Sequence, residues 1–399
     1  MQFKKVREFL LSNISFVILV MGAGSNFILT LIIKKHFNQD AFNNYSLFLT
    51  YIGIVSSFGL IGFDQIFLRL SRVELKMVFI NSDVLVFLLL SAFLTPLLFS
   101  YYFYSINTDI RFYQFILTGV GINIIILTYN LFRLTNEFSQ AQIFKNGFRI
   151  LVLVFSLTFV FALKSEISIN YIIDFIVISV ALFALFGLWF LFKKIKTNTT
   201  KTNNLLNFFF SYFINLAIIT SLGFGERLLI LENISENDFG KYFYYATIFL
   251  FPLTLVQQYV GFKELVGFKT GVDKTVVNNK IHRIIILGTM ILFVIIIIAK
   301  IDNGFFLQVN FNDDFWLIIV LAVLGLVKLV YGLFSAILGA VGNAREIYLV
   351  NVLTIVSILI SLLYLFLIEL NLITVTISLI LIFLLRTLYI YYSYVIKSK

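Results

Sequence analysis

The chain has no cysteine. That excludes disulfides and thiolate metal sites. It has two histidines, His36 and His282, which fall at opposite ends of the apolar runs described below and cannot share a metal. No spacing of histidine with carboxylates suggests zinc. There are two prolines, Pro96 and Pro252, both inside apolar runs, where they mark kinks. No Gly-x-Ser-x-Gly, P-loop or dinucleotide fingerprint occurs. Charge is scarce as well: Asp, Glu, Lys and Arg make up 13% of residues, against 60% hydrophobic. No soluble core needs that much apolar sequence, and the mean hydropathy of +1.00 fits a chain dissolved in lipid.

What is present is a series of apolar stretches about as long as a bilayer is thick. A spanning helix needs roughly 20 apolar residues to cross ~30 Å of hydrocarbon. Twelve stretches qualify, at roughly 12–33, 44–66, 83–104, 112–132, 147–163, 169–192, 207–231, 240–262, 282–300, 315–338, 347–368 and 372–395. They are continuous and do not alternate, and they are too long for barrel strands, so strands are not expected. The expected fold is an all-α integral membrane protein of twelve transmembrane helices. The first stretch is too long for a signal h-region and is followed by Lys34–Lys35, so it reads as a retained span.

An even number of spans puts both ends on one side. The connections on that side carry 21 lysines and arginines, among them Arg69, Arg72, Arg133, Lys145, Arg149, Lys193 and Lys194. The opposite connections carry six: Lys34, Lys35, Arg111, Lys164, Lys241 and Lys300. The positive-inside rule makes both termini cytoplasmic. The net charge of +10 is largely this asymmetry and gives no reason to expect nucleic acid as a partner.

The chain resembles itself at an offset of 197 residues. Phe42, Tyr45, Thr50 and Ser57 of span 2 match Phe239, Tyr242, Thr247 and Thr254 of span 8 in type. Just upstream, Gly22-Ala23-Gly24 corresponds to Gly223-Phe224-Gly225. Both spans run the same way, so the repeats are parallel. The division expected is an N-terminal six-helix lobe (1–192), a polar cytoplasmic joint (193–204) and a C-terminal six-helix lobe (205–399), with the substrate path in a cavity between lobes.

A charge at the bilayer centre costs about 2.5–3.5 kcal/mol on insertion scales, so each one needs a partner or water. Asp64 lies with Ser46, Thr50, Gly53 and Ser57 within roughly 40° on a helical wheel. It either lines a cavity or pairs with Arg69 or Arg72 at the interface. Lys328, at the middle of span 10, sits among Gly325, Gly332, Ser335 and Gly339. Such small neighbours mark a side that faces protein or a cavity. Arg386 is midway along span 12. Glu226 and Arg227 are adjacent on span 7 and so point about 100° apart. Asn26 shares a stripe with Ser15, Gly22 and Thr30, where helix packing is the simpler reading. Tyr101-Tyr102, Tyr244-Tyr245 and Tyr391-Tyr392 read as an interfacial belt.

Glu226-Arg227-Leu228-Leu229-Ile230, followed by Asp238-Phe239-Gly240-Lys241-Tyr242, resembles the acid–Arg end of span 7 and the start of span 8 in a known group. Phe42-Asn43-Asn44-Tyr45 is similar in the first lobe, with Asn43 where glycine is usual; Gly342-Asn343-Ala344 after span 10 also looks familial. With twelve spans in two lobes, the chain resembles the polysaccharide-transporter branch of the multidrug/oligosaccharidyl-lipid/polysaccharide exporter superfamily, whose familiar members are O-antigen-type flippases. A proline common at the start of span 7 in that group is absent here.

The resemblance implies a non-enzymatic flippase of a bacterial cytoplasmic (inner) membrane. It would move undecaprenyl-diphosphate-linked oligosaccharide, an O-antigen or capsule repeat unit, to the outer leaflet. It implies membrane lipids and other polysaccharide-assembly proteins as partners, and no cofactor beyond a coupling ion, H⁺ or Na⁺. Substrate contacts would come from Lys328, Arg386, Arg227, Glu226, Asp64 and Asn26. An ion-coupled multidrug or other small-molecule exporter of the same superfamily is the alternative. Those exporters place an acid in span 1, where this chain has Asn26. A glycan polymerase or ligase would need a long outer loop, which the chain lacks.

Overall fold

The computed structural model describes residues 14–163, 168–198, 205–268, 272–302, 304, 307–342 and 344–396. Lys164, Asn343 and the 199–204 part of the expected joint, all named above, lie outside the described residues.

In chain order the elements are α1 (Ile14–His36), α2 (Gln39–Phe58), α3 (Phe63–Leu70), β1 (Arg72–Glu74), β2 (Met77–Asn81), α4 (Ser82–Ile106), α5 (Phe112–Leu134), α6 (Phe138–Leu163), α7 (Ile169–Lys194), β3 (Ile195–Asn198), α8 (Leu205–Asn233), α9 (Glu236–Phe249), α10 (Phe251–Gly267), α11 (Lys274–Asp302), α12 (Phe315–Val341), α13 (Ala344–Leu367) and α14 (Leu372–Tyr391). A short π-helical turn (Tyr392–Ile396) extends α14. Eleven segments of the described residues are long and apolar enough to span a membrane, and α9–α10, bent by 52°, makes a twelfth. Pro252 sits in the first turn of α10, beside that bend.

Span 2 is also broken, which the sequence reading missed. It consists of α2 and α3, separated by residues 59–62, with Ile61 at φ 41° and Gly62 at φ 93°. A break inside a membrane frees backbone carbonyls that lipid cannot satisfy. Asn123 of α5, fully buried, fills that need: its amide donates to Gly59 O at 3.2 Å and to Ala92 O at 3.1 Å. The side-chain oxygen lies against Gly59, where an added Cβ would meet it at 2.1 Å.

Three short strands are present, against expectation. β1 and β2 form an antiparallel hairpin turned at Leu75 and Lys76, and β3 joins β2 in parallel. The sheet lies outside the spans. Val78 and Ile80 of β2 are buried against Phe63, Ile66, Phe67, Val84, Leu131 and Leu191. Alternation over so few residues is easily lost beside apolar runs. At the same end of the unit, Glu137 accepts from Lys194 Nζ at 2.5 Å and pairs with Lys76 at 3.5 Å.

The chain divides into two compact units, residues 1–224 and 225–399. The division falls inside α8, past the polar tract 193–204. The first turns of α8 belong with unit 1 because Phe209 stacks on Phe63 at 5.1 Å, Phe213 meets Phe58 at 5.4 Å, and Arg69 Nη1 donates to Tyr212 Oη at 3.1 Å.

Within unit 2, α12 packs on α10 and α14. Gly325 and Gly332 are a packing seam: an added Cβ would meet Leu253 Cδ1 at 2.6 Å and Gln257 Cγ at 2.5 Å. Tyr244 and Tyr245 are not an interfacial belt. Both are buried; Tyr244 Oη donates to Leu307 O at 2.5 Å, and Tyr245 Oη to Asp314 Oδ2 at 2.6 Å. Asp314 also pairs with Lys241 at 2.5 Å. Tyr101, by contrast, is 71% exposed, as a belt residue should be.

Candidate functional site

The structure brings three of the six candidates together in unit 2. Glu226 and Arg227 project from α8 and Lys328 from α12. Glu226 is 6% exposed, and its Oε2 has no hydrogen-bond partner among the described residues. The charges that act on it are Lys328 first and Arg227 second. Lys328 Nζ lies over the Phe383 ring at 5.2 Å, and the Arg227 guanidinium over the Phe243 ring at 5.0 Å. Among the described residues no ion pair within 4 Å joins Lys328 to Glu226. Lys328 is thus coupled to Glu226 by field and not by a close ion pair, an expensive state in a low-dielectric interior.

Tyr242 of α9 completes this group, a residue that the sequence marks as a repeat match to Tyr45 and as the end of the Asp238–Tyr242 motif. It is fully buried and lies in the field of Glu226 and Arg227. Its place four residues after Asp238 was legible; its burial and its spatial partner on α8 were not.

Arg386 sits one aromatic layer away. It is 2% exposed and donates from Nη1 to Thr354 Oγ1 at 3.2 Å, and its guanidinium lies over the Tyr331 ring at 5.4 Å. Tyr331 meets Phe383 edge-on at 5.2 Å. Lys328 and Arg386 are therefore linked through two rings, with no carboxylate paired to either among the described residues.

Asp64 and Asn26 belong to unit 1. The helical break at 59–62 takes Asp64 off the Ser46–Ser57 stripe and places it in the first turn of the separate helix α3. It accepts from Gln65 Nε2 at 2.7 Å and pairs with neither Arg69 nor Arg72; the cation acting on it is Arg133. Asn26 lines a small cavity with Phe148 and Arg149. Elsewhere its stripe is a packing seam: a Cβ on Gly22 would meet Asn146 Cβ at 2.4 Å, and Thr30 bonds the Asn26 carbonyl at 2.9 Å.

Chemically, a buried carboxylate between two cations can take up and release a proton or a small cation. The surplus positive charge can also hold an anion.

No family model and no curated protein sequence matches the chain. Solved structures do. A multidrug resistance transporter of the MATE family in the MOP superfamily, in its outward-facing conformation, aligns with TM-score 0.61 over 93% of this chain and 92% of its own, at 12% identity. The MATE multidrug transporter DinF-BH, in a ligand complex, aligns with TM-score 0.61 over 96% and 95%, at 14% identity. At such identities the likeness is one of fold. The chain thus has the fold of MATE transporters of the MOP superfamily. The all-α membrane architecture of twelve helices in two lobes expected from the sequence is the one observed.

Proposed function

We propose that this protein is a membrane exporter working by alternating access, and that it carries an amphiphilic organic molecule as the MATE multidrug transporters do. The reading is supported by fold likeness running almost from end to end, in proteins described as multidrug transporters. It is also supported by the Glu226–Arg227–Lys328 group, charge kept inside a membrane-embedded unit at a cost that binding or coupling would justify. The two six-helix halves, the cytoplasmic termini and the inner-membrane location belong to the same proposal. So does the view that the chain moves a substrate and performs no chemistry on it.

One observation favours a second reading, the lipid-linked oligosaccharide flippase. The charges gathered at this site are Arg227, Lys328 and Arg386 against Glu226 alone among the described residues. That balance suits a diphosphate better than a cationic dye. At an effective dielectric of about 20, a cation ~4 Å from a phosphate oxygen gains about 4 kcal/mol before desolvation.

The test is paired. Cells expressing the chain are assayed for efflux of cationic and anionic dyes. Cells lacking their own copy are assayed for surface display of the native glycan. Dye efflux without a glycan defect supports the first reading. A glycan defect restored only by the chain supports the second. Neither effect, with the protein inserted at normal levels, defeats both.

A further inference from the structure

Arg133, Lys145 and Arg149 read as loop cations in the sequence, because Gln140, Gln142 and Asn146 make the stretch look polar. The structure places Lys145 and Arg149 inside α6 and Arg133 in the last turn of α5. Arg149 is eleven residues into α6, roughly 16 Å along it at 1.5 Å per residue. The three lie inside unit 1, each only partly exposed.

Among the described residues the three have no carboxylate in contact. Lys145 feels two charges, Arg149 and Arg133, both repulsive. Lys145 and Arg149 stand at i and i+4, where like charges destabilise a helix. No carboxylate lies within ion-pair distance of any of them among the described residues, though Asp64 acts on Arg133 from further off. The neighbouring Lys194 is different, being paired with Glu137.

What surrounds the three fixes the cations in place without neutralising them. Asn130 Oδ1 accepts from Arg133 Nη1 at 3.3 Å, and Asn146 Oδ1 from Arg149 Nη1 at 3.3 Å. Asn146 is itself fully buried and held by Gln142 at 2.7 Å. The Tyr129 ring carries Lys145 at 4.8 Å and Arg133 at 5.3 Å. Arg149 Nε is buried with no partner among the described residues, and the side chain lines the small cavity shared with Asn26. Oriented guanidinium forks with donors to spare match phosphate oxygens.

We propose that Arg133, Lys145 and Arg149, oriented by Asn130 and Asn146, form a phosphate-binding site within unit 1. It takes a phosphate or diphosphate group, on a lipid headgroup or on a soluble molecule. The site rests on unit 1 alone and holds whichever substrate the protein carries.

The test uses the full chain in phosphatidylcholine nanodiscs. Two probes are applied, inorganic pyrophosphate and replacement of part of the lipid by phosphatidylglycerol. Either should raise the melting temperature of the wild type. A response to pyrophosphate marks a soluble ligand, and one confined to the anionic lipid marks a headgroup. Lys145→Gln and Arg149→Gln should each weaken the response roughly tenfold, the loss of one charge-assisted bond, while Arg149→Lys should keep part of it. Should Arg149→Gln fold poorly, Lys145→Gln carries the test, since among the described residues its side chain lies over the Tyr129 ring and bonds no structural partner. Without probe, Lys145→Gln should melt no lower than wild type, because it relieves repulsion. The proposal is overturned by a wild type that responds to neither probe, by variants that respond fully, or by a Lys145→Gln protein that melts lower unliganded.

Discussion

Asn38 and Ser235 stand 197 residues apart in sequence and make the same bond. Each accepts with its side chain from the backbone N–H three residues on, Ala41 at 2.9 Å and Asp238 at 3.0 Å. Each is the N-cap of a helix whose next turns bury matching side chains, Phe42 and Tyr45 in α2, Phe239 and Tyr242 in α9. The offset is the one at which the sequence repeats, and both spans are broken further along. A helix cap is set locally, so the two caps add a structural match to the sequence offset. The upstream glycines agree less: Gly22 is packed on Asn146, whereas nothing lies within 4 Å of a Cβ built on Gly223.

Removing either cap should have the same effect. Asn38→Ala and Ser235→Ala should each cost about 1 kcal/mol, the usual worth of an N-cap. Thermal melting in detergent measures it. Unequal losses, with one variant at wild-type stability, would separate the two positions.

Asn123 should matter more than a polar residue facing lipid. Asn123→Leu keeps the volume but strips the break at 59–62 of its donor. A buried acceptor left unsatisfied costs about 1–3 kcal/mol. The melting temperature should fall accordingly, and protease access at 59–62 should rise.

Two glycines of span 1 should respond in opposite directions. Gly22→Ala puts a methyl 2.4 Å from Asn146 Cβ, so α1 and α6 must part; overpacking of that kind costs about 1–3 kcal/mol. Gly24→Ala meets nothing within 4 Å and should be neutral or gain up to about 1 kcal/mol of helix propensity. The same melting assay on both variants decides.

Glu137 gives unit 1 a pH dependence. Burial pushes its carboxyl up, but the hydrogen bond and charge of Lys194, reinforced by Lys76, outweigh burial and hold it below its ordinary value of 4.5. A carboxyl lowered in the folded state stabilises above its unfolded value and loses that contribution as pH falls through the folded one. Melting temperature should therefore be steady above about pH 5 and fall as acid is added below it. Glu137→Gln should melt lower than wild type at neutral pH, and the gap should close as pH drops through that range.

The spans were legible because length and hydropathy alone mark them, and the starts of α4, α5, α7, α12 and α14 follow the apolar runs closely. What was not legible shares one cause: local chemistry that runs against the hydropathy trace. The break in span 2 hides in apolar Gly59-Leu60-Ile61-Gly62, where the glycines were the available signal. The start of α6 hides in a polar stretch, which is why Lys145 and Arg149 read as loop charges. Lys328 and Glu226 were legible as expensive charges, since each stands on a greasy helix. Their association was not, because it joins α8 to α12 across a hundred residues of sequence. Arg386 shows the opposite limit: its sequence position is right for a path, and its partners Thr354 and Tyr331 emerge only from packing.

The most direct measurement is transport by purified protein in liposomes, comparing wild type with Lys328→Ala and Lys328→Arg on a fluorescent amphiphile. Removing the lysine leaves Glu226 with Arg227 as its remaining countercharge. Lys328→Ala should insert normally and transport at least roughly tenfold more slowly, a loss of about 1.4 kcal/mol or more in the barrier. Lys328→Arg should keep part of the rate, since it keeps the charge but enlarges the head beside Gly325 and Gly332. Wild-type transport by the alanine variant would contradict a transport role for the Glu226–Arg227–Lys328 group.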